Sequence, residues 1–288
     1  DSERYLLNSK QLNRYPECQP PELLDAYAAY AGVSPAQVLA SRGSDEAIGL
    51  LIRACIDPRD DEAVMIVPPT YGMYEVAARS NRANVVIAAR EDGFKLRAAS
   101  LIKAAREART PVKLIFIDSP ANPLGTLLEH GELRTLLAAL PDTLIVVDEA
   151  YIEFAPGDAS CVPLLQEHDN LAVTRTLSKA FALAGIRCGF TLGRPELIAA
   201  LLKIIDPYPI SDPVAQIALQ ALARNLGMAV SMAILTVLFF ALIDAAPADP
   251  AYALELEGAL TRAFALGVLC GLVGLWCCVA GARAARRQ

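Results

Sequence analysis

The sequence predicts an α/β domain with a mostly parallel β-sheet covered by helices on both faces, followed by a two-helix hydrophobic hairpin. Three observations support this prediction. Between residues 63 and 192, short apolar runs of β-forming residues alternate with stretches of helical period. Most residues of these runs are apolar, which is typical of parallel strands buried on both faces. After about Leu222 the chain becomes strongly apolar over lengths that suit membrane-spanning helices.

The elements of the predicted domain follow one another in a regular order. Two helices come first, Pro21–Ala31 and Asp45–Cys55, with Ser44 predicted as the N-cap of the second. Six strands follow: Ala63–Val67, Asn84–Ala88, Val112–Asp118, Thr143–Asp148, Leu171–Thr176 and Cys188–Leu192. Amphipathic stretches such as Ala98–Arg109 and Leu127–Leu140 predict helices between them. We expect one large domain over residues 1–223.

Composition excludes several classes of function. The net charge of -6 and the pI near 5.1 argue against a nucleic-acid surface. The seven cysteines form no C-x-x-C pair, and scattered single cysteines fit a reducing compartment, so a cytoplasmic protein is expected. With only His130 and His168, a Ser-His-Asp hydrolase or a multi-histidine metal site is improbable, and no metal is predicted.

Residues 224–288 form the predicted hydrophobic segment. Residues 225–243 and 263–282 are uncharged, and each is long enough to cross a bilayer as a helix. Arginines flank the pair and an acidic linker joins it, so the positive-inside rule predicts that both ends are cytoplasmic. Two buried helices of a soluble domain are the alternative interpretation.

Lys179 stands where chemistry is expected. It ends the sequence Thr-Leu-Ser-Lys, directly after the predicted strand Leu171–Thr176, and ligands of open parallel sheets sit at the carboxyl ends of strands. An ordinary exposed lysine after a loop is the plainer interpretation. A Ser/Thr-x-x-Lys motif of the β-lactamase type is a third, but the accompanying Ser-Asp-Asn and Lys-Thr-Gly elements do not occur in this sequence.

Two other strand ends carry polar groups. Asp148 and Glu149 end the most apolar run, where a carboxylate can be a metal ligand, a general base, a partner for a cation or part of a helix N-cap. No histidine or second aspartate lies nearby in sequence, which disfavours a metal. The loop Ser119–Gly125 follows another strand and by itself indicates a tight turn.

Taken in order, these motifs resemble fold-type I aminotransferases, and more closely the histidinol-phosphate aminotransferases. The resemblance covers about residues 4–222. Its most specific part is RTLSKAFALAGIRCGF, Arg175–Phe190. The other resembling segments are Asn13–Pro16, Arg42–Glu46, Pro68–Tyr74 and Asp148–Phe154.

The resemblance implies a pyridoxal 5′-phosphate enzyme of histidine biosynthesis that exchanges an amino group between L-histidinol phosphate and 2-oxoglutarate. Lys179 would carry the cofactor as a Schiff base and, once freed, move a proton from the substrate α-carbon to the cofactor. Asp148 would pair with the protonated ring nitrogen. Tyr151 and Asn122 would hydrogen-bond the phenolic oxygen of the ring, and Tyr71 would stack on its face.

The resemblance also implies how the cofactor phosphate is held. Backbone N–H groups at a helix start suit an anion, and an arginine gives a forked contact. The residues assigned to this end of the cofactor are Ser44, Asp45, Glu46, Thr176, Ser178 and Arg187. Tyr15 resembles a tyrosine that reaches the phosphate of the neighbouring subunit, which implies a homodimer.

The sequence departs from the family after about Ala221. The family continues with a small domain that bears an arginine for the substrate carboxylate, whereas residues 224–288 weakly resemble the last two helices of a major-facilitator exporter. A fused product, a rearranged fragment and an enzyme attached to a membrane are three accounts of this junction. For function, the alternatives are an aminotransferase acting on aromatic or other amino acids and a non-catalytic remnant that only binds cofactor.

Overall fold

The computed structural model describes Leu7 and residues 12–224. The described residues as far as Leu222 belong to one compact unit. In this part of the chain, no helix combines the length and the hydropathy needed to cross a bilayer. The predicted spans 225–243 and 263–282 lie outside the described residues, so the hairpin and the membrane association remain predictions from hydropathy.

One sheet organises the described residues. Its seven strands are β1 (Val38–Ser41), β2 (Ala63–Ile66), β3 (Asn84–Ile87), β4 (Val112–Asp118), β5 (Leu144–Asp148), β6 (Leu171–Thr176) and β7 (Gly189–Gly193). Their order across the sheet is β1-β7-β6-β5-β4-β2-β3. The pairs from β6 to β3 are parallel, while β7 runs antiparallel to both β6 and β1. The predicted mostly parallel sheet is therefore confirmed.

Helices cover both faces of this sheet. They are α1 (Pro21–Ala31), α2 (Gly43–Cys55), α3 (Met73–Ser80), α4 (Ala98–Glu107), α5 (His130–Ala139) and α6 (Pro195–Leu202), and residues 212–224 are also helical. One apolar cluster packs α1, α4 and α5 against the sheet, and a second packs α2, α3 and α6. Because successive side chains of a strand point to opposite faces, Ile145 belongs to the first cluster and Val146 to the second.

The start of α2 differs from the prediction. Ser44 is not the N-cap: the helix begins at Gly43, the N-cap position is occupied by Arg42, and Ser44 lies in the first turn. Gly43 has a φ of +74°, in the left-handed region that favours glycine. A Cβ atom on Gly189 of β7 would lie 2.6 Å from backbone atoms of Gly43 and Ser44. Because Gly189 has no side chain, β7 can lie directly against the first turn of the helix.

Candidate active site

A cavity of about 120 Å³ opens at the carboxyl ends of β4, β5 and β6. Ten of the twelve predicted site residues line it: Ser44, Asp45, Tyr71, Asn122, Asp148, Tyr151, Thr176, Ser178, Lys179 and Arg187. The strand register explains the convergence, since Asp118 of β4 pairs with Asp148 of β5, and Asp148 with Thr174 of β6. Parallel strands in this register end at one edge, so the residues that follow them meet there.

Asp148 is the buried carboxylate of this cavity. Its Oδ2 accepts a 2.7 Å hydrogen bond from the Tyr74 hydroxyl. Its Oδ1 is buried and accepts no hydrogen bond from the described residues. Burial raises the pKa of Asp148 to about 6, although the Tyr74 hydrogen bond opposes the rise. The buried Oδ1 of Asp148 could therefore accept a hydrogen bond from a cationic N–H donor, and such a donor would stabilise the ionised form of the carboxylate.

Tyr74 was not among the predicted site residues, although it lies in the Pro68–Tyr74 segment. It belongs to α3, is fully buried and stacks on Phe116 with ring centroids 4.8 Å apart. The stack fixes the ring so that its hydroxyl reaches Asp148. The two residues lie 74 positions apart in the chain, and no local pattern in the sequence signals such a contact.

Lys179 lies in the loop after β6 and lines the cavity. Lys179 is exposed, and its ammonium group lies 5.3 Å from the centroid of the Tyr151 ring. A cation over an aromatic face at this distance is attracted to it. The lysine is therefore held at the cavity beside Tyr151 while its amine stays accessible to a ligand.

A cluster of donors forms the end of the cavity next to α2. The Arg187 guanidinium donates to Asp45 Oδ2 at 2.8 Å and contacts Ser178 Oγ at 3.5 Å. The Thr176 hydroxyl donates to Ser178 Oγ at 2.9 Å. The first turn of α2 also contributes backbone N–H groups, which carry the positive end of the helix dipole. We name these five elements, Ser44, Thr176, Ser178, Arg187 and the start of α2, the anion cup.

Asp45 organises one wall of the cavity. Its Oδ1 accepts a 2.9 Å hydrogen bond from the Tyr71 hydroxyl, and its Oδ2 accepts the bond from Arg187. Partial burial, followed by the hydrogen bond to Asp45, raises the pKa of Tyr71 to about 12. Tyr71 therefore stays protonated at neutral pH, and Asp45 holds Tyr71 and Arg187 in fixed positions.

Two predicted residues do not line the cavity. Glu46 accepts hydrogen bonds from the side chain and the backbone N–H of Arg42, which also pairs with Asp206. Tyr15 is 83% exposed, and its ring stacks on Tyr208 with centroids 4.8 Å apart. The side chain of Glu46 is thus engaged elsewhere, and Tyr15 lies on the surface of this chain.

A lysine, a buried carboxylate and an anion cup around one cavity define a ligand-binding α/β domain. Residues 1–233 match the model of the family described as aminotransferase class I and II. The chain belongs to this family, as its motifs predicted.

Known histidinol-phosphate aminotransferases resemble this chain closely. That of Aeromonas hydrophila is 52% identical over 220 residues, which cover 76% of this chain and 60% of the relative. That of Vibrio campbellii is 51% identical over 222 residues, covering 76% and 62%. The chain therefore spans about 60% of the length of the curated relatives it matches.

Solved structures show the same likeness. A histidinol-phosphate aminotransferase from Sinorhizobium meliloti, solved in complex with pyridoxal 5′-phosphate, superposes with a TM-score of 0.66 at 27% identity. The superposition covers 80% of this chain and 62% of that chain.

The raised pKa of Asp148 predicts a pH-dependent stability of the cofactor-free chain. Because the folded-state pKa of about 6 exceeds the ordinary value of 3.8, the fold loses stability as pH rises from about 4 through about 6 and the buried carboxyl group ionises. The loss should amount to about 3 kcal/mol. In Asp148→Asn this contribution disappears. Urea unfolding of both chains between pH 4 and 7 measures the difference, and a difference that stays constant across this range contradicts the assignment.

Proposed function

We propose that this chain binds pyridoxal 5′-phosphate covalently at Lys179, as part of an enzyme that exchanges an amino group between L-histidinol phosphate and 2-oxoglutarate in histidine biosynthesis. One observation carries the cofactor: Lys179, Asp148 and the anion cup open into the same cavity. The substrate is inferred from the names of the relatives that are about 50% identical.

The residues of the cavity fit the cofactor at both ends. Asp148 Oδ1 is a buried acceptor without a donor among the described residues, which suits the protonated nitrogen of a pyridine ring. The anion cup offers a guanidinium, two hydroxyl side chains that bond each other and a helix start, which together suit a phosphate. Glu46 would contribute only through its backbone N–H, since its side chain binds Arg42.

When bound, the cofactor supplies an electron sink for the negative charge that develops at the substrate α-carbon. Lys179 would supply the base, since its accessible amine could take a proton from the substrate α-carbon and deliver it to the cofactor. Asp148 holds a proton at the ring nitrogen, and Tyr74 keeps the Asp148 carboxylate oriented by donating to Oδ2. Tyr151 and Asn122 donate hydrogen bonds to the phenolic oxygen of the ring.

The remaining cavity residues hold the ring and its phosphate. Tyr71, fixed by Asp45, covers one face of the ring and excludes water from it. Asp45 also aims Arg187 by accepting its Nη2 donor, so the guanidinium is oriented before a phosphate arrives. Orienting the donors beforehand reduces the entropy lost on binding.

The active enzyme is proposed to be a homodimer in which Tyr15 reaches the cofactor phosphate of the neighbouring subunit. Tyr15 is exposed, and its ring stacks on that of Tyr208. It does not line the cavity of its own chain, so its hydroxyl is accessible to a neighbouring subunit. An exposed aromatic residue with a polar end is a common contact across subunit interfaces.

Purified full-length chain mixed with pyridoxal 5′-phosphate should develop the visible absorbance band of the lysine-bound cofactor. In Lys179→Ala the band should be lost, because the only covalent attachment is removed. Lys203→Ala removes an exposed lysine at the end of α6 and should leave the band unchanged. If the unaltered chain forms no band, or if Lys179→Ala retains it, the cofactor assignment is wrong.

The same band tests the substrate. L-histidinol phosphate added to the loaded chain should convert the cofactor to its amine form and abolish the visible band, and 2-oxoglutarate should restore it. Conversion by L-phenylalanine but not by L-histidinol phosphate would favour an aminotransferase of aromatic amino acids. No conversion by any amino acid would favour a chain that only binds the cofactor.

Mixing two defective chains tests the role of Tyr15. Neither Tyr15→Ala nor Lys179→Ala should bind the cofactor tightly. In a mixed dimer, the Tyr15→Ala chain keeps Lys179 and receives Tyr15 from its partner, so one site regains full affinity. Cofactor titration after refolding the two chains together measures this gain. If affinity does not rise above that of Tyr15→Ala alone, Tyr15 does not act across a dimer interface.

A further inference from the structure

A second buried carboxylate lies at the cavity and has no part in the mechanism above. Asp118 ends β4, is 5% exposed and lies in register with Asp148 at the end of β5. It lines the same cavity as Lys179. Its charged form is costly to bury, and burial raises its pKa. A carboxylate retained in such a place needs partners that hold it.

Arg90 is the charged partner of Asp118. Its guanidinium Nη2 lies 3.2 Å from Asp118 Oδ1, and its Nε donates to the carbonyl of Val67 at 3.3 Å. The side chain of Arg90 is only 4% exposed. Buried ion pairs of this kind add little net stability, because desolvation offsets their attraction. The stability of the fold alone therefore gives little reason for the pair.

The second oxygen of Asp118 makes the contact that matters for the cavity. Asp118 Oδ2 accepts a 2.8 Å hydrogen bond from the backbone N–H of Asn122. Asn122 belongs to the turn-rich loop after β4 and lines the cavity. Asp118 thus connects two parts of the chain. One oxygen contacts the buried Arg90 guanidinium, which also binds the carbonyl of Val67 after β2, and the other oxygen binds the loop that carries Asn122.

We propose that Asp118, held in place by Arg90, is a positioning residue that fixes the Asn122 side chain toward the phenolic oxygen of the bound cofactor. The inference rests on the function proposed above. A hydrogen bond donated to that oxygen favours its anionic form, so a correctly placed Asn122 lowers the pH at which the lysine-bound cofactor loses its proton. The Arg90–Asp118 pair therefore acts on the cofactor only through Asn122.

The charged and titratable groups around Asp118 are few. Arg90 faces it from the segment after β3, Tyr74 from α3 and Asp148 from β5. The Asp118 charge raises the pKa of both Tyr74 and Asp148. Since removing Asp118 also changes these neighbours, the test must isolate the route through Asn122.

The test uses the full chain loaded with cofactor and measures the pH at which half of the lysine-bound cofactor has lost its proton, read from the visible absorbance band. This pH is called the midpoint below. The double variant Arg90→Met/Asp118→Val removes both charges together and avoids leaving one buried alone, so the fold should survive. We expect the midpoint to rise by roughly one pH unit. Asn122→Ala should shift it in the same direction. In a triple variant with Asn122→Ala the two shifts should not add, because both act through one hydrogen bond.

Two further variants make the test specific. Arg97→Met/Glu132→Val removes an ion pair of similar geometry that does not line the cavity. In this pair Glu132 lies 2.8 Å from the Arg97 guanidinium and also accepts a hydrogen bond from the backbone N–H of Ala98. This double variant should leave the midpoint unchanged. Asp118→Glu keeps a charge for Arg90 but displaces the acceptor of the Asn122 N–H, and it should raise the midpoint even if the double variant does not fold.

The outcomes separate this inference from the proposed function. If the unaltered chain forms no band, both are contradicted. If the band forms and Asn122→Ala shifts its midpoint while Arg90→Met/Asp118→Val and Asp118→Glu do not, the pair has no positioning role. Additive shifts in the triple variant, or a midpoint that Asn122→Ala leaves unchanged, also overturn the inference. Thermal unfolding of the cofactor-free variants confirms that each chain is folded.

Discussion

The parallel register of β4, β5 and β6 is the constraint on which the rest of the site depends. It aligns Asp118, Asp148 and Thr174 across three neighbouring strands, so the loops that follow these strands emerge at one edge. Asn122 and Lys179 lie on such loops, and Asp148 lies at the strand end itself. A slip of one residue in this register would turn Asp148 to the opposite face of the sheet. Apolar packing on both faces, which alternates along β5, makes such a slip costly.

Burial then gives the aligned groups their properties. Asp148 and Asp118 are both carboxylates at strand ends, but their partners differ. Asp118 has a guanidinium beside it, whereas Asp148 accepts the Tyr74 hydroxyl on one oxygen, and its buried second oxygen accepts no hydrogen bond from the described residues. The cofactor-free chain therefore keeps Asp148 in a state that favours a cationic ligand. This arrangement costs stability without the ligand and favours binding of the ligand.

The sequence was sufficient where local patterns decide the structure. The mostly apolar runs predicted β4 and β6 with their observed bounds, and the resemblance to fold-type I aminotransferases predicted ten residues that line the cavity. Strand β1 was missed, since it pairs with β7, which lies far along the chain. Ser44 was assigned as an N-cap because its type is typical of one, but the helix begins one residue earlier, at Gly43. Tyr74 and Arg90 were missed because each acts through a partner distant in the chain.

Lys179 is the proposed attachment site of the cofactor. Reduction of the loaded chain with borohydride, followed by proteolysis and mass spectrometry, identifies the modified lysine directly. We expect the cofactor mass on the peptide that contains Lys179. A modification spread over several exposed lysines, or confined to another lysine, would contradict it.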